Sequence, residues 1–145
     1  ILGAGMFTSI FLYLGGGRVI KSAILSLPIG AGGILIIMMV TIFMLGMFID
    51  WIGILYIIIP VFLPVIIELG IDPLWFVVLI AVNLQMSFIT PPFAYAIFFV
   101  KGTAPPSVKT TDIYRGVTPF VAAQILVLAL CIIFPQLILA LPELL

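Results

Sequence analysis

The chain contains no histidine. That removes the side chain most often used for acid–base chemistry near neutral pH and the commonest nitrogen ligand for metals. It also excludes any Ser–His pair. Cysteine is nearly as scarce. Cys131 stands alone, so no intramolecular disulfide can form. Lying in an apolar run, Cys131 reads as a small apolar filler and not as a reactive thiol. Charge is sparse too: five Lys and Arg against five Asp and Glu, 7% of the residues, with a net charge of zero. That balance gives no sign of nucleic-acid binding. What fills the chain instead is apolar. Hydrophobic residues make up 66% of it, and the mean hydropathy is +1.54. A soluble domain does not have this balance, so the chain reads as an all-α integral membrane protein. It opens Ile1-Leu2-Gly3 with neither an initiator Met nor a basic leader. It does not begin like a signal peptide, and the expectation is the C-terminal part of a longer protein or an incomplete gene product.

Within one apparent membrane domain over 1–145, charges and prolines mark the divisions. Residues 1–17 read as the end of a membrane helix, stopped by Gly15-Gly16-Gly17. Residues 18–28 read as a short interfacial helix and turn. There Arg18, Lys21 and Ser22 cluster, while Val19, Ile20, Ala23, Ile24 and Leu27 recur at helical spacing. Residues 29–69 hold two apolar stretches, Ile34–Ile49 and Trp51–Ile67, split at Asp50. The second carries Pro60 and Pro64. A polar break follows at Glu68–Pro73, where Asp72 is placed to cap the next helix with Pro73 as its first residue. Residues 73–100 form a span interrupted at Thr90-Pro91-Pro92. Residues 101–115 read as a loop, and 116–142 as a final membrane helix, kinked or shortened by Pro119 and Pro135.

The joint around Asp50 carries one charge and no Lys or Arg among bulky apolar residues. An ordinary turn facing water would be more polar. The composition suits a turn buried in protein, so 29–69 is read as a re-entrant helical hairpin with its tip at Asp50. Two full spans joined by a tight turn are the alternative, which length alone does not exclude. On the hairpin reading, Arg18–Pro28 and Gly70–Pro73 share one face of the membrane and Lys101–Arg115 lies opposite. Lys101, Lys109 and Arg115 outnumber Arg18 and Lys21, which points to a cytoplasmic Lys101–Arg115 segment.

The richest stretch is Asn83-Leu84-Gln85-Met86-Ser87-Phe88-Ile89-Thr90-Pro91-Pro92. Pro91 and Pro92 offer no amide donor, and each ring clashes with the carbonyl four residues earlier. In hydrocarbon no water satisfies the freed carbonyls, so such a break belongs in packed protein or a wet cavity. Broken helices of this kind carry ion and substrate sites in secondary transporters. Carbonyl oxygens near Thr90 and the Thr90 hydroxyl are the hard ligands that sodium prefers. Gly46 and Gly53 flank Asp50 and permit close backbone approach. A half-helix starting at Phe93 would offer its positive end to an anionic group. The candidate sodium and substrate residues are therefore Gly46, Asp50, Asn83, Ser87, Thr90, Pro91 and Pro92. Asn83 and Ser87, four apart, share a face; Gln85 points elsewhere. Each has a plainer reading. Asp50 can simply cap the second hairpin arm, Asn83 and Ser87 can bond neighbouring helices, and the break can be a kink in a packing helix. Trp75, near a helix start, fits an interfacial belt.

The run Gly46-Met47-Phe48-Ile49-Asp50-Trp51, with Pro60, Pro64 and Gly70-Ile71-Asp72-Pro73, resembles the large membrane (DctM-like) subunit of tripartite ATP-independent periplasmic (TRAP) transporters. The Asn83–Phe93 segment with its Thr-Pro-Pro is similar to the same family. So are Asp112-Ile113-Tyr114-Arg115-Gly116, Pro119-Phe120 and Leu141-Pro142. The resemblance implies an elevator-type secondary transporter with two inverted repeats, each with a re-entrant hairpin and a discontinuous helix. This chain would supply most of the second repeat. It implies sodium near Gly46, Asp50, Thr90 and Pro91, and no other cofactor. It also implies a bacterial inner-membrane location and two partners: a small membrane subunit and a periplasmic binding protein that delivers an organic acid. The family usually has glycine soon after Pro-Pro, where this chain has Ala94. A channel or a non-transporting assembly subunit is the alternative. An aspartyl protease is disfavoured, because it needs two carboxylates at close range and Asp72 sits at a helix start away from Asp50.

Overall fold

The chain folds entirely into helices over the residues that the computed structural model describes, 1–92 and 94–143. In chain order these are α1 (Leu2–Tyr13), α2 (Gly16–Leu25), α3 (Ala31–Gly46), α4 (Trp51–Glu68), α5 (Pro73–Phe88), α6 (Tyr95–Thr103), α7 (Thr110–Ile133) and α8 (Gln136–Glu143). The core lies where α3, α4 and α5 meet. Met38 and Ile42 of α3, Ile54, Val65 and Ile66 of α4, and Phe76, Leu79 and Ile80 of α5 are almost fully buried there.

These helices are apolar on both faces. On α3, Ile34, Leu35, Met38 and Ile42 face the core at helical spacing, while Ile36, Ile37, Val40 and Met44 are exposed. A helix apolar all round belongs in a large core or in lipid. α4 and α7 are long and apolar enough to cross a bilayer. α2 is the exception. Arg18, Lys21 and Ser22 give it a polar side, and Lys21 forms an ion pair with Glu68 at the end of α4. That pair brings α2 to the same end of the fold as the Leu69–Asp72 turn.

Two proline breaks are repaired by side chains from other helices. Pro60 has no amide to give the Tyr56 carbonyl one turn earlier. The Thr8 hydroxyl of α1 donates to that carbonyl at 3.1 Å. Pro135 likewise withholds a donor from the Cys131 carbonyl, and the indole Nε1 of Trp75 donates to it at 2.8 Å. Both residues are buried. An unpaired carbonyl in such surroundings would be costly, so each donor is also a tie between helices.

Several boundaries differ from the sequence reading. Of the three consecutive glycines only Gly15 makes the turn, with φ +83°; α1 has already ended at Tyr13, and Gly16 and Gly17 begin α2. The segment 101–115 is not one loop. α6 runs to Thr103, and α7 starts at Thr110, where the Lys109 amide donates to the Asp112 carboxylate in a cap. Only 104–109 is irregular. The final helix is two, because Pro135 stops α7 at Ile133 and α8 follows. Trp75 is not a belt residue but a buried donor. Asp72 caps α5 through the Trp75 amide at 2.9 Å, with Pro73 first in the helix.

Candidate functional site

Three pieces of chain converge near one end of α5: the α3–α4 turn, the end of α5 and the start of α6. α3 and α4 are joined by only 47–50. The turn closes by Phe48 and Ile49 amides donating to the Leu45 carbonyl, at 3.0 and 2.8 Å. Asp50 then caps α4, its carboxylate accepting the Ile52 amide at 3.2 Å. A carboxylate suits a helix N-terminus because the dipole is positive there. Asp50 is exposed, as are Phe48 and Ile49. The turn is therefore not enclosed by the described residues, contrary to the expectation from its composition. It is held on one side only.

That side is the contact of Gly46 with Ser87. A Cβ on Gly46 would overlap the Ser87 hydroxyl and lie 2.8 Å from Ser87 Cβ and 3.2 Å from Leu84 Cδ2. Only glycine lets the two backbones come so close. One turn earlier on the same face of α5, Asn83 donates through Nδ2 to the Met39 carbonyl of α3 at 2.6 Å. Asn83 and Ser87 are 1% and 0% exposed. Ser87 turns its hydroxyl onto the Leu84 carbonyl at 2.7 Å. Asn83 Oδ1 is buried without a partner among the described residues. A buried amide oxygen in this condition is the kind of group that an ion or water satisfies. Gln85, on another face, is exposed.

Past Ser87 the helix frays through the prolines. The Ser87 carbonyl, denied Pro91, accepts the Thr90 amide at 3.1 Å. The Thr90 hydroxyl donates to the Met86 carbonyl at 2.9 Å, which keeps its lone pairs available. The Phe88 carbonyl has neither helical option. Its partners at three and four residues on are Pro91 and Pro92, and both lack an amide hydrogen. Pro91 and Pro92 are exposed, and the peptide between them is cis. Phe93, the expected start of the second half-helix, lies outside the described residues. α6 begins at Tyr95, after Ala94 in the left-handed conformation with φ 42° and ψ 56°. Asp50 and Trp51 of the hairpin, Phe88 of α5, and Tyr95, Ala96 and Phe99 of α6 line one open groove of about 410 Å³.

The structure thus joins Gly46 to Ser87 and sets Asp50 beside the α5–α6 break. It places Asn83 in the α3–α5 contact, one turn from the tip, and it shows no bond between Thr90 and the hairpin. Among the described residues no three His, Cys, Asp or Glu cluster as a metal site. The oxygens on offer are carbonyl, amide and hydroxyl, with one carboxylate, Asp50, in the groove lining. Sequence reasoning missed Met39, whose carbonyl receives Asn83, and Phe88, whose carbonyl faces a proline at both helical donor positions. The second was findable, since two consecutive prolines remove both helical donors of the residue before them by four and three.

Residues 1–137 match the family described as the tripartite ATP-independent periplasmic transporter, DctM component. The chain belongs to this family. It is 36% identical over 101 residues to the sialic acid TRAP transporter permease protein SiaT of Haemophilus influenzae, covering 70% of this chain and 16% of that protein. Against the sialic acid TRAP transporter large permease protein SiaM of Vibrio cholerae it is 37% identical over 100 residues, 69% of this chain and 23% of the relative. The C4-dicarboxylate TRAP transporter large permease protein DctM of the same species is 30% identical over 128 residues, 88% and 28%. No solved structure matches the chain significantly. The matched part of the chain therefore spans 16% to 28% of the length of these relatives. They are transporter permeases and not enzymes. Ala94 bears a left-handed backbone that glycine would adopt without strain.

Proposed function

We propose that this chain is the part of a TRAP large permease subunit that holds a coupling cation for the import of an organic acid. Its parent would work in the bacterial inner membrane with a small membrane subunit and a periplasmic binding protein that delivers the acid. The observation that carries this reading is the meeting of the hairpin tip with both half-helices around one groove, beside a carbonyl that two prolines deny its helical donors. A site of carbonyl, amide and hydroxyl oxygens with a single carboxylate, Asp50, suits a monovalent hard cation. Sodium is the coupling ion we assign. Its ligands would come from the Gly46–Asp50 turn, Asn83 Oδ1, Thr90 and the carbonyls before Pro91 and Pro92. In this arrangement α3–α4 is the hairpin and α5–α6 the discontinuous helix of one inverted repeat in an elevator-type carrier. Helix ends and broken segments around a fixed site are how such carriers bind ions and anionic substrates together.

Substrate chemistry follows the relatives' names only at the level of class. Sialic acid and C4-dicarboxylates both carry carboxylates. A carboxylate drawn to the α6 N-terminus, beside a bound cation, would be held by dipole and charge at once. The test is uptake into proteoliposomes that hold the full-length parent and its small subunit, with binding protein and labelled acid outside. An inward sodium gradient should drive uptake, and potassium should not replace it. Uptake that ignores sodium, or that proceeds unchanged without the binding protein, would sink the reading.

A further inference from the structure

The groove beside the hairpin tip offers more than oxygen ligands. Trp51 opens α4, Phe88 closes α5, and Tyr95 and Phe99 stand one turn apart on α6. All four line the groove, together with Asp50 and Ala96. Its volume, about 410 Å³, falls in the range of ligand clefts, roughly 300 to 1,000 Å³. Trp51, Tyr95 and Phe99 are exposed, so these rings do not fill the core. Exposed apolar surface clustered in this way marks a binding groove or an interface. Asp50 caps α4 through the Ile52 amide and makes no ion pair among the described residues. The wall thus combines aromatic rings from three helices with one unpaired negative charge.

We propose that this groove takes a quaternary ammonium group, the positive end of a zwitterionic organic acid, against Trp51, Phe88, Tyr95 and Phe99. The inference rests on the transport reading above and narrows it: the imported carboxylate also carries a fixed, weakly hydrated positive charge. Three features favour this occupant. Aromatic rings attract cations, and a quaternary ammonium suits them best because its charge is sheathed in methyl groups. A primary ammonium has three N–H donors to satisfy. Asp50 and the Tyr95 hydroxyl are the only polar side chains in the lining, so such a group would be left short of acceptors. The second feature is the Asp50 carboxylate, which adds Coulomb attraction for a cation in the same space. The third is charge balance. One coupling cation offsets Asp50, and a zwitterion of zero net charge keeps the site neutral. A simple organic anion would leave it negative within the membrane, where unbalanced charge is costly. The substrate carboxylate keeps its place at the α6 N-terminus beside the coupling cation.

The test uses the full-length parent with its small subunit in nanodiscs, in sodium buffer, with binding followed by ligand-observed NMR. The two probes are glycine betaine and its neutral carbon isostere, the tert-butylacetate anion. They share shape and carboxylate and differ only in a charged nitrogen against an uncharged carbon. Betaine should bind at least about five-fold tighter, the scale of a cation over aromatic rings. Trp51→Leu and Phe99→Leu should each at least halve that ratio, while Trp51→Phe keeps most of it. Both residues are exposed, so their replacement leaves the core intact. Equal affinities for the two probes overturn the inference. So does a ratio that both leucine variants leave unchanged, or no betaine binding at all, which would mean that the rest of the parent covers the groove. Repeating the titrations in potassium separates this claim from the coupling ion. Betaine affinity that is the same in potassium, with the preference intact, upholds the aromatic site and counts against sodium. Sodium-dependent uptake of the delivered acid, with no preference for betaine, upholds sodium and overturns the aromatic site.

Discussion

Gly46→Ala should destabilise the protein, although it replaces glycine inside a helix by the best helix former. Propensity alone favours the substitution by about 1 kcal/mol. The structure opposes it. The new methyl would overlap the Ser87 hydroxyl and sit 2.8 Å from Ser87 Cβ and 3.2 Å from Leu84 Cδ2, against the ~3.5–4.0 Å at which carbon atoms pack. Rotating Ser87 moves its hydroxyl away but not its Cβ, whose position the α5 backbone fixes. Relief therefore requires the hairpin to withdraw from α5 by about 1 Å. Overpacking of this kind costs roughly 1–3 kcal/mol. Withdrawal would also stretch the Asn83–Met39 bond one turn away. We expect Gly46→Ala to lose about 1–2 kcal/mol net. In Gly46→Ala/Ser87→Gly both clashing atoms are gone, so the double variant should lose at least about 1 kcal/mol less than the sum of the single losses. Reversible unfolding of the full-length parent in detergent micelles, over the four species of the cycle, gives these numbers. The decisive feature is the sign. A Gly46→Ala protein more stable than wild type, or additive single effects, would mean that the hairpin tip does not rest on α5 as described.

Other consequences are independent of that contact. Trp75→Phe leaves a smaller aromatic ring and removes the donor to the Cys131 carbonyl, and should cost at least about 1–3 kcal/mol in the same unfolding measurement. Thr8→Val should cost a similar amount by orphaning the Tyr56 carbonyl, while Thr8→Ser should restore most of it; equal losses for Val and Ser would refute the hydroxyl's part. Ala94→Gly relieves a left-handed residue worth ~1–2 kcal/mol but loses a buried methyl worth ~0.8 kcal/mol, so stability should change by less than about 1 kcal/mol. Ala94→Val, with a branched side chain at the same φ, should lower thermal stability clearly.

How much of this was legible beforehand depends on whether the physics was local. The Asp72–Pro73 helix start, the Asp50 cap and the break at Pro91-Pro92 follow from residue chemistry within one turn of chain. So does the shared face of Asn83 and Ser87. Pro135 gave the early end of α7, but not the separate helix α8 that follows it, because the apolar character runs on to Leu141 and hydropathy has no punctuation of its own. The start of α7 was missed because polar Lys109–Arg115 reads as loop unless the Lys109–Asp112 cap is noticed. Trp75 illustrates the other limit. Its position near a helix start fits a membrane belt equally well, and only the approach of α7 turns its indole inward. The same holds for Thr8. Subtracting four from the number of each proline finds the stranded carbonyl, but the donor comes from a helix 48 residues away. At the candidate site the residue types were visible and the closeness of Gly46 to Ser87 was not, since no pattern along the chain registers two backbones meeting.

The most direct measurement of the central claim is the sodium concentration for half-maximal uptake in proteoliposomes, using the full-length parent with its small subunit and cognate binding protein. Wild type is compared with Thr90→Val, which keeps the side-chain shape and removes an oxygen one turn beyond Ser87. A cation held at the Thr-Pro-Pro break requires that concentration to rise at least several-fold, with assembly and binding-protein docking unchanged. An identical sodium dependence in the two proteins would contradict Thr90 as a ligand and leave the break as a packing kink.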